Sequence, residues 1–108
     1  MRGLTAVFFL ATGMLSLAHA ASMSPRENNI DRPGGDYENF SLPVPDPLLC
    51  QNSCGADTRC VAWNYDPRGL GTAQNPRCWL KQGVGAPNPV TDSGLISGVK
   101  IRGSAAGP

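Results

Sequence analysis

Hydrophobic positions in this chain come in short bursts separated by stretches rich in glycine and proline, and each burst has a readable period. After the turn signal Arg32-Pro33-Gly34-Gly35-Asp36, residues Tyr37 to Leu42 alternate, with Phe40 and Leu42 on one side, as in a short half-buried strand. Cys60-Val61-Ala62-Trp63-Asn64-Tyr65 is rich in β-branched and aromatic residues and predicts a second strand. Arg77 to Lys81 predicts a third and Leu95 to Ile101 a last. One segment reads differently. Asp46-Pro47 supplies an N-cap and a first helical proline, Gly55 supplies a natural C′ residue, and the spacing predicts a helix over Pro47 to Cys54. Leu48, Leu49, Cys50 and Cys54 give that helix an apolar side, but so short a helix is marginal alone and needs outside support. Several strands around one helix predict an α+β domain.

The flanks narrow the picture further. Met1 to Ala20 combines Arg2, an apolar run from Leu4 to about Leu17 and the small-x-small triplet Ala18-His19-Ala20. That is the pattern of a secretory signal peptide cut after Ala20, and its apolar run is shorter than the roughly 20 residues of a comfortable membrane span. Residues 21–29 are polar and aperiodic and predict a flexible leader, 30–102 the one domain, and 103–108 a disordered tail. The whole chain has 9 Lys+Arg against 8 Asp+Glu, so losing Arg2 leaves a neutral mature protein. Neutrality gives no support for binding nucleic acid or an anionic membrane by bulk charge. The one histidine, His19, departs with the signal, and with it any Ser-His-Asp or Cys-His machinery and any histidine metal site. All 10 prolines and all but Gly3 and Gly13 of the 13 glycines remain, a loop-rich composition.

The four cysteines, Cys50, Cys54, Cys60 and Cys78, fall within one short window and form no C-x-x-C pair. In an exported chain this reads as a disulfide framework rather than a zinc site. Cys50 and Cys54 sit at i and i+4 with side chains running roughly parallel, poor geometry for a direct bridge. Two pairings remain. Cys50–Cys78 with Cys54–Cys60 closes a long and a short loop without crossing, worth at most about 3.5 and about 2.4 kcal/mol in the chain-entropy picture.

Four ordered blocks carry a family resemblance: Pro33-Gly34-Gly35-Asp36-Tyr37, then Cys50-x3-Cys54-x5-Cys60-x-Ala62-Trp63-x-Tyr65, then Cys78-Trp79-Leu80-Lys81, and finally Ser97-Gly98-Val99. Together they resemble a PAN/Apple domain, most closely the short bacterial version, over about Asp31 to Lys100. The resemblance implies a curved antiparallel sheet cradling one helix, the pairing Cys50–Cys78 with Cys54–Cys60, and a role in protein–protein or protein–carbohydrate contacts. Many Apple domains carry a third bridge joining their terminal strands. This chain has no cysteine left for it, which implies looser ends.

Candidate chemistry is sparse. No activated nucleophile, nucleotide loop or clustered oxygen ligands appear, so neither enzyme, cofactor nor metal is expected. Asp36, Asp57 and Asp66 read as turn and cap residues, and a carboxylate pair for glycoside cleavage has no motif behind it. The sequon Asn39-Phe40-Ser41 reads as chance. The expected function is a secreted or periplasmic, monomeric, non-catalytic binding module for an unidentified protein or carbohydrate, with a passive envelope subunit as the alternative and a carbohydrate-active enzyme using carboxylates as the second. Its expected contact set surrounds the long loop Asp66 to Pro76, which lies between two strands held by bridged cysteines. Tyr65, Arg68, Arg77 and Trp79 are the aromatic and arginine side chains there, with Asn75 and Lys81 beside them and Trp63 assigned to the core.

Overall fold

A computed structural model describes residues 21–69 and 75–102. The expected signal segment 1–20, the middle of the long loop at 70–74 and the tail 103–108 lie outside the described residues.

The strands are β1 (Ser22–Met23), β2 (Glu27–Asn28), β3 (Ile30–Asp31), β4 (Asp36–Ser41), β5 (Ala62–Asp66), β6 (Arg77–Lys81), β7 (Asn88–Pro89) and β8 (Ile96–Arg102), and helix α1 spans Pro47–Ala56. The main sheet runs β1-β8-β5-β6-β4, with β2 also on the outer edge of β8, and every pairing is antiparallel. The separate pair β3–β7 aligns Ile30 with Pro89 and Asp31 with Asn88. An α+β, disulfide-stapled fold is what the sequence pattern predicted.

Helix α1 starts as its sequence dictates. Asp46 is extended and its Oδ1 accepts from the Leu48 N–H at 2.9 Å, with Pro47 in the first turn. It runs past Gly55 and ends instead on Asp57, an extended cap whose N–H donates to the Cys54 carbonyl. The Cys54–Cys60 bridge turns the chain back at that point, so no left-handed glycine is needed to stop the helix. Cys50 bridges Cys78 with Cα atoms 5.4 Å apart, bolting α1 to β6. The nested pairing is therefore the one present.

Because Cys78 faces α1, strand alternation assigns both faces of the sheet. Leu80, Trp63, Tyr65, Gly98 and Phe40 share the helix side with Cys78, and the core forms there from Leu42, Trp63, Tyr65, Leu80 and the four half-cystines. The opposite face carries Asn39, Ser41, Ala62, Asn64, Asp66, Arg77, Trp79, Lys81 and Ser97.

Residues 21–29 differ from the expected flexible leader. Ser22, Met23, Glu27 and Asn28 pair with β8, and the Ser24 N–H donates to the Val99 carbonyl at 2.8 Å. Two-residue strands bonded through their backbones leave no period in the sequence, so the ordering was not visible there. The same bonds tie the two ends of the domain together.

Candidate functional site

The face opposite the helix is not bare sheet. β3 and the turn at Pro33–Gly35 fold over part of it: the Gln82 N–H donates to the Gly35 carbonyl and the Asn29 N–H to the Leu95 carbonyl. Gly34 and Gly35 take positive φ values of 91° and 78°, the left-handed region that favours glycine. Between this cover and the sheet lies a cavity of about 330 Å³. Asn64, Asp66, Trp79 and Lys81 line it from the sheet, and Asp31, Pro33, Gly34, Asp36 and Leu95 from the cover.

Its side chains are held by one another. The Lys81 ammonium, 2% exposed, pairs with the Asp36 carboxylate and also donates to the Gly34 carbonyl at 3.2 Å. Asn64 is 7% exposed, and its Nδ2 donates to Asp31 Oδ1. Its Oδ1 is buried with no hydrogen-bond partner. Asp66 Oδ1 accepts from the Arg68 backbone N–H at 2.8 Å and from Arg68 Nε at 3.2 Å. Three carboxylates thus stand around one ammonium, a half-buried tryptophan and an orphaned amide oxygen. Among the described residues no group of His, Cys, Asp and Glu side chains converges to hold a metal ion.

The expected contact residues separate into two groups. Trp79 lies in the cavity wall, Arg68 is at its rim with 66% of its side chain exposed, and Arg77 lies beside it on the same face. Arg77 is engaged within the sheet, its Nε donating to Asn39 Oδ1 at 2.7 Å and its Nη1 to Ser41 Oγ at 3.0 Å. Tyr65 is not with them: it lies 3% exposed in the core, on the helix side next to Cys78. The physical reason is strand parity. Trp63 and Tyr65 are two apart in β5 and must point the same way, so a core Trp63 carries Tyr65 with it. The same parity was the available signal for Asn64, which falls on the face of Trp79 and had not been singled out, and it places Lys81, already named beside the loop, two after Trp79 in β6. Asp31 had no sequence signal, because its place is set by the fold of β3 over the sheet.

Residues 30–81 match the family model of the PAN domain, and both disulfides of this structure fall inside that match. The PAN domain resemblance therefore holds over residues 30–81, just under half of the chain. PAN domains are typically non-catalytic modules that commonly bind protein or carbohydrate. Over 54 residues the chain is similar, at 37% identity, to "Uncharacterized protein L719" of Acanthamoeba polyphaga mimivirus, a stretch covering 50% of this chain and 13% of that relative. No solved structure matches the chain.

Proposed function

We propose that this PAN-like domain is a monomeric, non-catalytic binding module that works outside the cytoplasm and takes its ligand at the cavity around Trp79. The observation that carries the reading is the Asn64 side chain. A buried amide oxygen without a partner costs about 1–3 kcal/mol, and here it lies in the wall of a cavity large enough for a ligand group. Trp79 adds an aromatic surface of the kind that anchors recognition. Arg77 shares the sheet face of Trp79, and Arg68 is paired to the lining residue Asp66. Two buried disulfides in so small a domain support an oxidising compartment, as the signal pattern of residues 1–20 does.

The test presents the oxidised protein with a glycan array and with an extract of extracytoplasmic proteins, then compares captured ligands across variants. Trp79→Ala is expected to weaken the captured ligand at least tenfold, about 1.4 kcal/mol, while the melting temperature shifts little. Leu48→Ala, on the exposed side of α1, is expected to leave the affinity alone. A ligand indifferent to Trp79→Ala moves the site off this face.

A further inference from the structure

The balance of donors and acceptors around the cavity says what kind of group fits. We propose that the cavity binds a guanidinium, presented as an arginine side chain on a partner protein, an inference that rests on the binding-site reading above. The lining offers oxygen acceptors from Asp31, Asp36, Asp66 and Asn64, and donors chiefly from Lys81, which already gives two hydrogens to Asp36 and Gly34. The side-chain hydrogen bonds on Asp31 and Asp36 end on Oδ1, whereas Arg68 engages both oxygens of Asp66, Oδ1 from Nε at 3.2 Å and Oδ2 from Nη2 at 3.5 Å. A ligand that only donates suits that surplus. Sugar hydroxyls both donate and accept, and a neutral ring leaves the excess of carboxylates uncompensated.

Shape argues for guanidinium over ammonium. Asp31 and Asn64 are joined by a hydrogen bond from the amide nitrogen to Asp31 Oδ1, so a carboxylate and an amide share one wall of the cavity, where a flat cation with several N–H donors can meet the carboxylate. Trp79 supplies a face on which a flat cation stacks. Asn64 Oδ1, buried without a partner in the same wall, adds one more unsatisfied acceptor to the surplus. The chain itself provides a precedent at the rim. Arg68 already rests its guanidinium on the Asp66 carboxylate from a side chain that is 66% exposed. Arg68 is then a competitor for the incoming arginine, which an exposed ion pair of this kind yields readily.

The probe is the peptide acetyl-Gly-Arg-Gly-amide titrated into the oxidised, isotope-labelled protein, followed at the Asn64 side-chain amide and the Trp79 indole N–H. The arginine peptide should shift both resonances saturably. Its citrulline counterpart, equal in shape but neutral, should bind at least tenfold more weakly. Asp31→Asn should weaken the arginine peptide severalfold, and raising sodium chloride from about 50 to about 500 mM should do the same. Arg68→Ala should strengthen binding, where a direct ligand contact would weaken it. Equal binding of arginine and citrulline peptides overturns the inference, as does a Trp79 response to methyl galactoside or methyl glucoside with none to arginine, although the cavity stays the binding site in that case. Silence at Asn64 and Trp79 toward all these probes, with a captured ligand mapping to another face, overturns both readings.

Discussion

Trp63 shows how closely single side chains decide this fold. It is fully buried on the helix side of β5, opposite Gly98 of β8, and a Cβ on residue 98 would lie 2.6 Å from its Nε1 and 2.7 Å from its Cε2. The indole is fully buried in the core cluster with Leu42, Tyr65, Leu80 and the half-cystines, so little room remains for it to yield to a side chain at residue 98. Gly98→Ala is expected to cost about 2–3 kcal/mol in urea unfolding, the upper range for overpacking, and a loss below about 0.5 kcal/mol would mean the strands part easily here. The charged pairs differ just as sharply. Asp36→Ala strands a Lys81 ammonium that is 2% exposed, and we expect a loss of about 2 kcal/mol after allowing for an Asp36 carboxylate that is 43% exposed. Arg68→Ala removes a solvated partner and should stay within about 0.5 kcal/mol in the same melts. Equal effects from the two variants would show that burial does not separate these pairs.

At the scale of elements, the contrast is between strands that announce themselves and strands that borrow their partners. β4, β5, β6, β8 and the start of α1 were legible because each carries its own period or cap: Phe40 with Leu42, Trp63 with Tyr65, Asp46 before Pro47. β1, β2, β3 and β7 were not, because each has two residues and is ordered by backbone bonds to distant chain. The cavity inherits that split. Of its sheet half, Trp79 and Lys81 were visible beside the long loop, whereas Asn64 was not singled out, Asp31 arrives from β3, and Asp36 stands opposite the buried Lys81 at the start of β4.

Glu27 does most to fasten the borrowed strands. Its Oε1 accepts from Ser97 Oγ of β8 and from Arg32 Nε, both at 2.8 Å, its Oε2 accepts from Arg32 Nη2 at 2.7 Å, and Arg32 Nη1 reaches the Gly85 carbonyl. The Arg32 hydrogen bonds hold the Glu27 carboxyl below its ordinary range, outweighing the burial that pushes it up. A depressed folded pKa means stability that is present above the unfolded value, about 4.3, and is lost as pH falls through the folded value below it. Glu27→Gln should therefore destabilise the protein by about 1–2 kcal/mol at pH 7, and the gap to wild type should close as denaturation is repeated toward pH 2.5. A gap that persists unchanged in acid would assign the effect to shape rather than charge.

At the scale of the whole molecule, little apolar surface is available to hold the chain. Among the described residues nine hydrophobic side chains are buried, and four of them are half-cystines. Cross-links therefore stand in for the core that a larger domain would have. They are unequal cross-links. Cys50–Cys78 joins α1 to β6 across a separation of 28 residues, while Cys54–Cys60 closes only 6. If the bridges act by restricting the unfolded chain, the long closure contributes more by about 1 kcal/mol. Purified protein should hold no free thiol, with an intact mass about four hydrogens below that of the reduced chain, as two disulfides require. Removing each bridge as a pair of alanines should then rank the two in denaturant melts. Cys50→Ala with Cys78→Ala is expected to lose more stability than Cys54→Ala with Cys60→Ala, and to release α1 from the sheet, since that helix is too short to persist alone. Far-ultraviolet circular dichroism of the first double variant should accordingly lose helical signal before the sheet melts, whereas the second should unfold in one step. Equal losses would show that the packing of these buried sulfurs, all four fully enclosed, outweighs the entropy of the loops they close.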